Sequence, residues 1–231
     1  MADAIRTRYL SAAFFTLGAL AIAVFALGCP GSFGGLTWQH PFAAGFVKLF
    51  FLGTFGELLK RRLKSGTWSL DRALQRAGVW GLFGVWFAVA FPAFSMGVEG
   101  LVHERLWPAR VPGVTESLWL AFSKSVWLNA LGMFGWGMMV THNYCDFLIQ
   151  GRWRLWSLRA YAADADAQFL LAFIPKTLLF WIAAHTFSYS MPAEWRVFIA
   201  ALLAIVLGFL LGVGRRTRSA ALVGQPRRVG A

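Results

Sequence analysis

Ionisable side chains are costly inside a bilayer and tend to mark function there, and this sequence places several within long apolar stretches. Lys48, Lys124, Lys176 and Arg196 each interrupt such a stretch, with His185 in the same run as Lys176. Basic groups from four different stretches, all on one side of the mid-plane, would form a positively charged vestibule that concentrates small anions by field focusing. The bland alternative is that these side chains snorkel to headgroups or pair with Glu99, Glu104, Glu116 or Glu194 on the same side. Lys176 is the deepest and directly follows the helix-perturbing Pro175. Glu57 is the one acidic residue well inside an apolar stretch, and Arg61 stands one helical turn further on. That spacing predicts a Glu57–Arg61 ion pair that fixes packing, with a proton relay or a pore-gating carboxylate as the sharper alternative.

Other constellations carry less. His142 and Asp146 are i,i+4 neighbours, but two ligands are too few for a metal site, so a capping or interfacial role is expected and no metal or other cofactor. Gly132-Met133-Phe134-Gly135-Trp136-Gly137 lacks the preceding strand a dinucleotide fingerprint requires. No P-loop, H-E-x-x-H motif or nucleophile–base pair appears, so the sequence does not recommend an enzyme or coupling to ATP.

The elements that must hold these residues are membrane helices. Of 231 residues 58% are hydrophobic and 14% charged, more apolar surface than a soluble domain of this size can hide. A crossing helix needs about 20 mostly apolar residues. Six stretches qualify: Leu10–Gly28, Phe42–Leu59, Gly78–Val98, Leu118–Val140, Ala167–Phe187 and Pro192–Gly214. The expected fold is an all-α integral membrane bundle of about six transmembrane helices over 1–231, the alternative being four or five full spans plus interfacial helices. With the N-terminus inside, the inner loops and tails hold Arg6, Arg8, Lys60, Arg61, Arg62, Lys64, Arg72, Arg76, Arg152, Arg154, Arg159, Arg215, Arg216, Arg218, Arg227 and Arg228. The outer loops hold only Arg105 and Arg110, so the positive-inside rule gives N-in and C-in. The net charge of +12 is thereby explained by orientation and by anionic lipid at the cytoplasmic face rather than by nucleic acid.

Between the stretches, 29–41 reads as a Gly/Pro-rich outer loop and 101–117 as an outer loop with a short interfacial turn. Residues 151–165 mix Trp and Arg like a helix at headgroup level, and the basic tail 215–231 reads as disordered. Ala26-Leu27-Gly28-Cys29 is a poor lipoprotein-type cleavage site, so the first helix is expected to be retained. Cys29 and Cys145 fall near opposite faces and offer no disulfide. Glycine-rich faces in the third, fourth and sixth stretches would allow helix association within or between chains, including a homo-oligomer.

Three blocks resemble the family of small membrane proteins typified by Mpv-seventeen and the peroxisomal membrane protein of twenty-two kilodaltons. The first is Gly56-Glu57 with Arg61, where family members usually have Asp and Gln. The second is Asp71-Arg72, Arg76 and Gly78. The third is Phe180-Trp181, His185 and Phe187, followed by Pro192-Ala193-Glu194-Trp195-Arg196; His185 stands roughly where the family has Gln, and its Asn-Phe pair is not preserved. The resemblance covers about half the chain and implies a channel-forming or metabolite-permeation protein, usually drawn with four spans. The charge pattern suggests a bacterial cytoplasmic membrane, with an organelle membrane as the alternative. Together these point to a channel or facilitator for small anionic solutes lined by Lys48, Lys124, Lys176, His185 and Arg196. The alternative is a non-transporting protein that binds anionic lipid or a partner.

Overall fold

The computed structural model describes residues 2–151, 153, 157–206 and 209, and every regular element among them is helical. The long helices are α1 (Ala2–Gly28), α3 (Pro41–Ser65), α4 (Ala73–His103) and α8 (Ala165–Tyr189). Between them lie α2 (Pro30–Gln39), α5 (Glu116–Val126), α6 (Phe134–Gln150) and α7 (Leu158–Ala162), and a final helix, α9, runs from 196 to 206. Among the described residues, three helical segments are long and apolar enough to cross a membrane: Tyr9–Gly28, Pro41–Ser65 and Ala73–His103. The basic tail 215–231, with Arg152, Arg154 and Trp156, lies outside the described residues.

Local chemistry sets the boundaries. Pro30 and Pro41 open α2 and α3 at the first turn, where a missing N–H costs nothing. Gly66, at φ 74°, closes α3 in a left-handed cap that a side chain would strain. Ser157 caps α7 by accepting from the Ala160 amide at 3.2 Å. Below α6, the Tyr161 hydroxyl donates to Asn143 Oδ1 at 2.9 Å; burial and the nearby Asp164 push this phenol up, keeping it protonated as a donor.

Two expected elements differ. The segment 29–41, read as a loop, forms helix α2, because Pro30 starts a turn whose Phe33, Gly34 and Thr37 are buried against the bundle. The fourth stretch, Leu118–Val140, is not one helix. It is α5, a π-helical turn at Trp127–Leu131, and α6, with Met133 between them at φ 57°. The break falls about 16 Å along the segment from Glu116 by the helical rise.

The bundle is assembled around α3 and α4, its most extensive helix pair. A Cβ on Gly45 would stand 2.5 Å from the Gly84 carbonyl oxygen, so these backbones nearly touch. Small residues at a membrane helix crossing permit this approach and the dispersion contacts that come with it. The aromatic core (Phe33, Phe83, Phe87, Phe91, Phe134, Phe198) fills the space between α2, α4, α6 and α9. Large apolar side chains such as Leu82, Met96 and Leu179 point outward, 65–72% exposed, as lipid-facing positions require. Gly84→Ala should therefore lower stability in detergent by about 1–3 kcal/mol through overpacking. Gly78→Ala, where a Cβ meets nothing within 4 Å, should leave thermal unfolding unchanged or slightly raised.

Candidate functional site

Polar groups gather in three layers along the bundle, from the end where α4 starts to the end where it finishes. At the end where α4 starts, Glu57 of α3 is 6% exposed and held on both oxygens. Its Oε1 accepts from Trp80 Nε1 and meets His142 Nε2, each at 3.0 Å, while Oε2 faces the Arg76 guanidinium at 3.3 Å. Arg76 also bonds Asp146, whose other oxygen lies 3.9 Å from His142 Nδ1. Two carboxylates and one guanidinium thus enclose an imidazole with both ring nitrogens facing an acid. The expected Glu57–Arg61 pair is not what satisfies this carboxylate: its partners come from α4 and α6, because Glu57 faces those helices in the interior. His142 and Asp146, expected to cap a helix or sit at the interface, are instead members of this cluster.

One ligand atom each from Glu57, His142 and Asp146 would fall within 4.8 Å of the others, a spacing open to a metal ion. Arg76 already supplies the positive charge between both carboxylates, so the arrangement reads as a closed ion-pair network.

The middle layer sits at the helix break. Asn129, in the π turn, is fully buried. Its Nδ2 donates to the Ser125 carbonyl at 2.8 Å and approaches the Trp181 carbonyl at 3.4 Å, which turns Oδ1 toward His185 Nδ1 at 3.0 Å. An amide oxygen can only accept, so the network assigns the proton to His185 Nδ1 and leaves a lone pair on Nε2. Neither His185 Nε2 nor the indole N–H of Trp181 has a partner among the described residues, though both are buried. Trp181 stacks on His185 at 5.0 Å between ring centroids, and Phe91 meets the imidazole edge-on at 5.4 Å. With the indole N–H of Trp127, in the π turn itself and likewise buried without a partner among the described residues, the break presents one buried acceptor and two buried donors beside aromatic rings. Gly135 lets α6 pack directly on Asn129, since a Cβ there would run into that side chain. Met133 in the left-handed region costs roughly 1–3 kcal/mol, strain of the kind that clusters at functional sites.

The third layer lies at the other end. Lys48 is 4% exposed, bonds Thr37 Oγ1 at 2.5 Å, approaches the Glu194 carbonyl at 3.4 Å and stands 4.1 Å over the Phe33 ring. Arg196 donates to the Met191 carbonyl at 3.3 Å and lies over Tyr189. Lys124 pairs with Glu99 at 2.5 Å, so the pairing alternative holds there. Lys176 is exposed on α8. Of the five basic candidates, then, Lys48 and His185 are interior, Arg196 is half-buried, Lys124 is neutralised and Lys176 faces outward.

Asn129 went unremarked in the sequence although a lone amide between Leu128 and Ala130 in an apolar stretch was a readable signal. Compared with protein-family models, with curated proteins and with solved structures, the chain matches none of them. The family resemblance therefore rests on its motifs. Two of the blocks that carry it do meet in space, as Glu57 against Arg76.

Removing Arg76 would strand two inward carboxylates. Arg76→Met should cost about 3–5 kcal/mol in detergent unfolding, the usual penalty for breaking a buried pair. Arg61→Met, at a half-buried position outside this cluster, should cost under about 1 kcal/mol.

Proposed function

We propose that this chain is a six-span membrane protein, N-in and C-in, that lets small anionic metabolites cross the bilayer past the broken helix. The observation that carries the reading is the break itself. A membrane helix interrupted near mid-depth, with buried polar groups turned into the bundle, is how many solute-translocating proteins build a site within hydrocarbon. Irregular backbone at that depth is tolerated only when enclosed by protein or lining a wet cavity.

The chemistry of the layers narrows the solute. Lys48 and Arg196 place cationic groups at one end of the interior, which favours an anion there. At the break, the Trp181 N–H and the His185 Nε2 lone pair suit a solute offering both an acceptor and a donor, such as a small hydroxycarboxylate. Access to these atoms requires the Phe91 and Trp181 rings to move, so the break would also be the gate. The Glu57–Arg76–His142–Asp146 cluster would then hold α3, α4 and α6 together beneath the moving part. On this reading the chain belongs with the permeation proteins its motifs resemble, in a bacterial cytoplasmic membrane.

A second reading, a lipid- or partner-binding protein without transport, is favoured by the outward position of Lys176. Uptake by proteoliposomes separates the two. Wild type should take up lactate down its gradient, and His185→Phe should reduce the rate at least about tenfold, the loss of one charge-free but buried hydrogen-bonding site. Lys48→Met should slow uptake of lactate without slowing a neutral polyol, and Lys176→Ala should change neither. No uptake of any solute by correctly oriented wild type would contradict the transport reading.

A further inference from the structure

The charged cluster around Glu57 has one member whose charge is not fixed. Two carboxylates, Glu57 and Asp146, and one guanidinium, Arg76, stand around the His142 ring. With a neutral imidazole the enclosed charge is one negative too many, and an uncompensated buried charge is costly. With an imidazolium it cancels. The geometry agrees with the charge. His142 Nε2 faces Glu57 Oε1 at 3.0 Å, and Nδ1 faces Asp146 Oδ2 at 3.9 Å. Either neutral tautomer turns a lone pair toward a carboxylate, whereas the cation points an N–H at each.

The charged groups that face this ring come from three helices. α3 contributes Glu57, with the exposed Lys60 three residues further on; α4 contributes Arg76; α6 contributes Asp146. Trp80, also from α4, packs on the ring at 4.4 Å between centroids. α7 and α8 meet α6 elsewhere, through Tyr161 at Asn143 and Thr177 at Met139. The side chains of His142 and Asp146 are 14% and 18% exposed, so a proton can exchange with water at the end where α4 starts.

That proton has a mechanical consequence. α3 and α6 share no extensive packing, so Glu57 and His142 form the main tie between them. α6 is held to α4 by permanent cations, Arg76 on Asp146 and Arg72 on the Ile149 carbonyl. The start of α6 runs into the break, where Met133 is left-handed and a Cβ on Gly137 would meet nothing within 4 Å. We propose that His142 binds one proton as an imidazolium and that this proton latches α6 to α3. Losing it replaces a charge-assisted hydrogen bond with a weaker one and sets a lone pair against Asp146, so the tie loosens as pH rises. The latch stands without transport; that its release opens the broken helix to solute rests on the transport reading.

Hydrogen–deuterium exchange of the full-length protein in detergent, at about pH 6 and about pH 9 on either side of histidine titration, tests the latch. A chelator is present so that no metal stands in for the proton. At about pH 6, after correction for intrinsic rates, the α6 amides beyond Met138 should exchange about tenfold more slowly in wild type than in His142→Gln, the worth of one charge-assisted hydrogen bond. His142→Gln keeps a neutral donor and loses only the charge. At about pH 9 the two should exchange alike, while His142→Lys, cationic at both, should stay protected at both. Nitrogen-15 spectra of histidine-labelled wild type at about pH 6 should show an imidazolium that His142→Gln removes. A neutral His142 ring in those spectra would overturn the proton assignment. Wild-type protection that is the same at both pH values, or that survives His142→Gln at the lower one, would overturn the latch.

Discussion

A fully buried amide has no water to turn to, and the partners found by Asn129 organise the packing of α5, the π turn and α8. Its donors are taken by carbonyls of α5 and α8, and its acceptor fixes the ring of His185. Ser125, one turn before it, donates to the Ile182 carbonyl at 2.6 Å. These bonds pin the π turn to α8. The Asn129 amide also takes the Ser125 carbonyl, at the point where α5 passes into the π turn. Tyr189, further along α8, extends the same clasp to the Phe91 carbonyl at 3.2 Å.

The opposite end is held by charge. Glu57, Arg76, His142 and Asp146 join α3, α4 and α6, so that removing any one leaves a buried ion or dipole uncompensated. Between the two ends, α3 and α4 approach to glycine-on-glycine contact and give the bundle its rigid spine. The structure thus combines a fixed pair of helices, an ionic clamp at one end and a strained, hydrogen-bonded break between α5 and α6. Rigid surroundings concentrate any movement at the break, where Met133 already occupies an uncommon backbone region.

How much of this was legible follows from the range of each interaction. Apolar runs of spanning length identified α1, α3 and α4, because helix formation in a membrane follows local hydropathy, but the helices run five to eight residues past the apolar runs at the start of α1, the end of α3 and both ends of α4, where polar residues continue them. The break at Trp127–Met133 was hidden for the same reason: hydropathy averaged over Leu118–Val140 stays apolar despite Lys124 and Asn129, and it is blind to hydrogen-bond geometry. Glu57 was recognised as an interior carboxylate, but its partners are set by how α4 and α6 pack, so the local i,i+4 spacing to Arg61 misdirected the pairing. His142 and Asp146 carried a weaker hint, since their helical spacing put both on one face, though nothing local pointed that face at Glu57. The basic candidates divided by environment. Lys48 turned inward to a hydroxyl and an aromatic ring, whereas Lys124 met Glu99 across two helices that no spacing rule connects.

The central claim is that the interior passes small anions by way of the break. The most direct measurement is the diffusion potential developed by wild-type proteoliposomes under a sodium lactate gradient, read with a voltage-sensitive dye. The account predicts a potential of the sign set by the anion, abolished by Asn129→Leu, which removes the amide that shapes the break while leaving Lys48 in place. A potential set by sodium, or an anion potential that Asn129→Leu leaves intact, would contradict it.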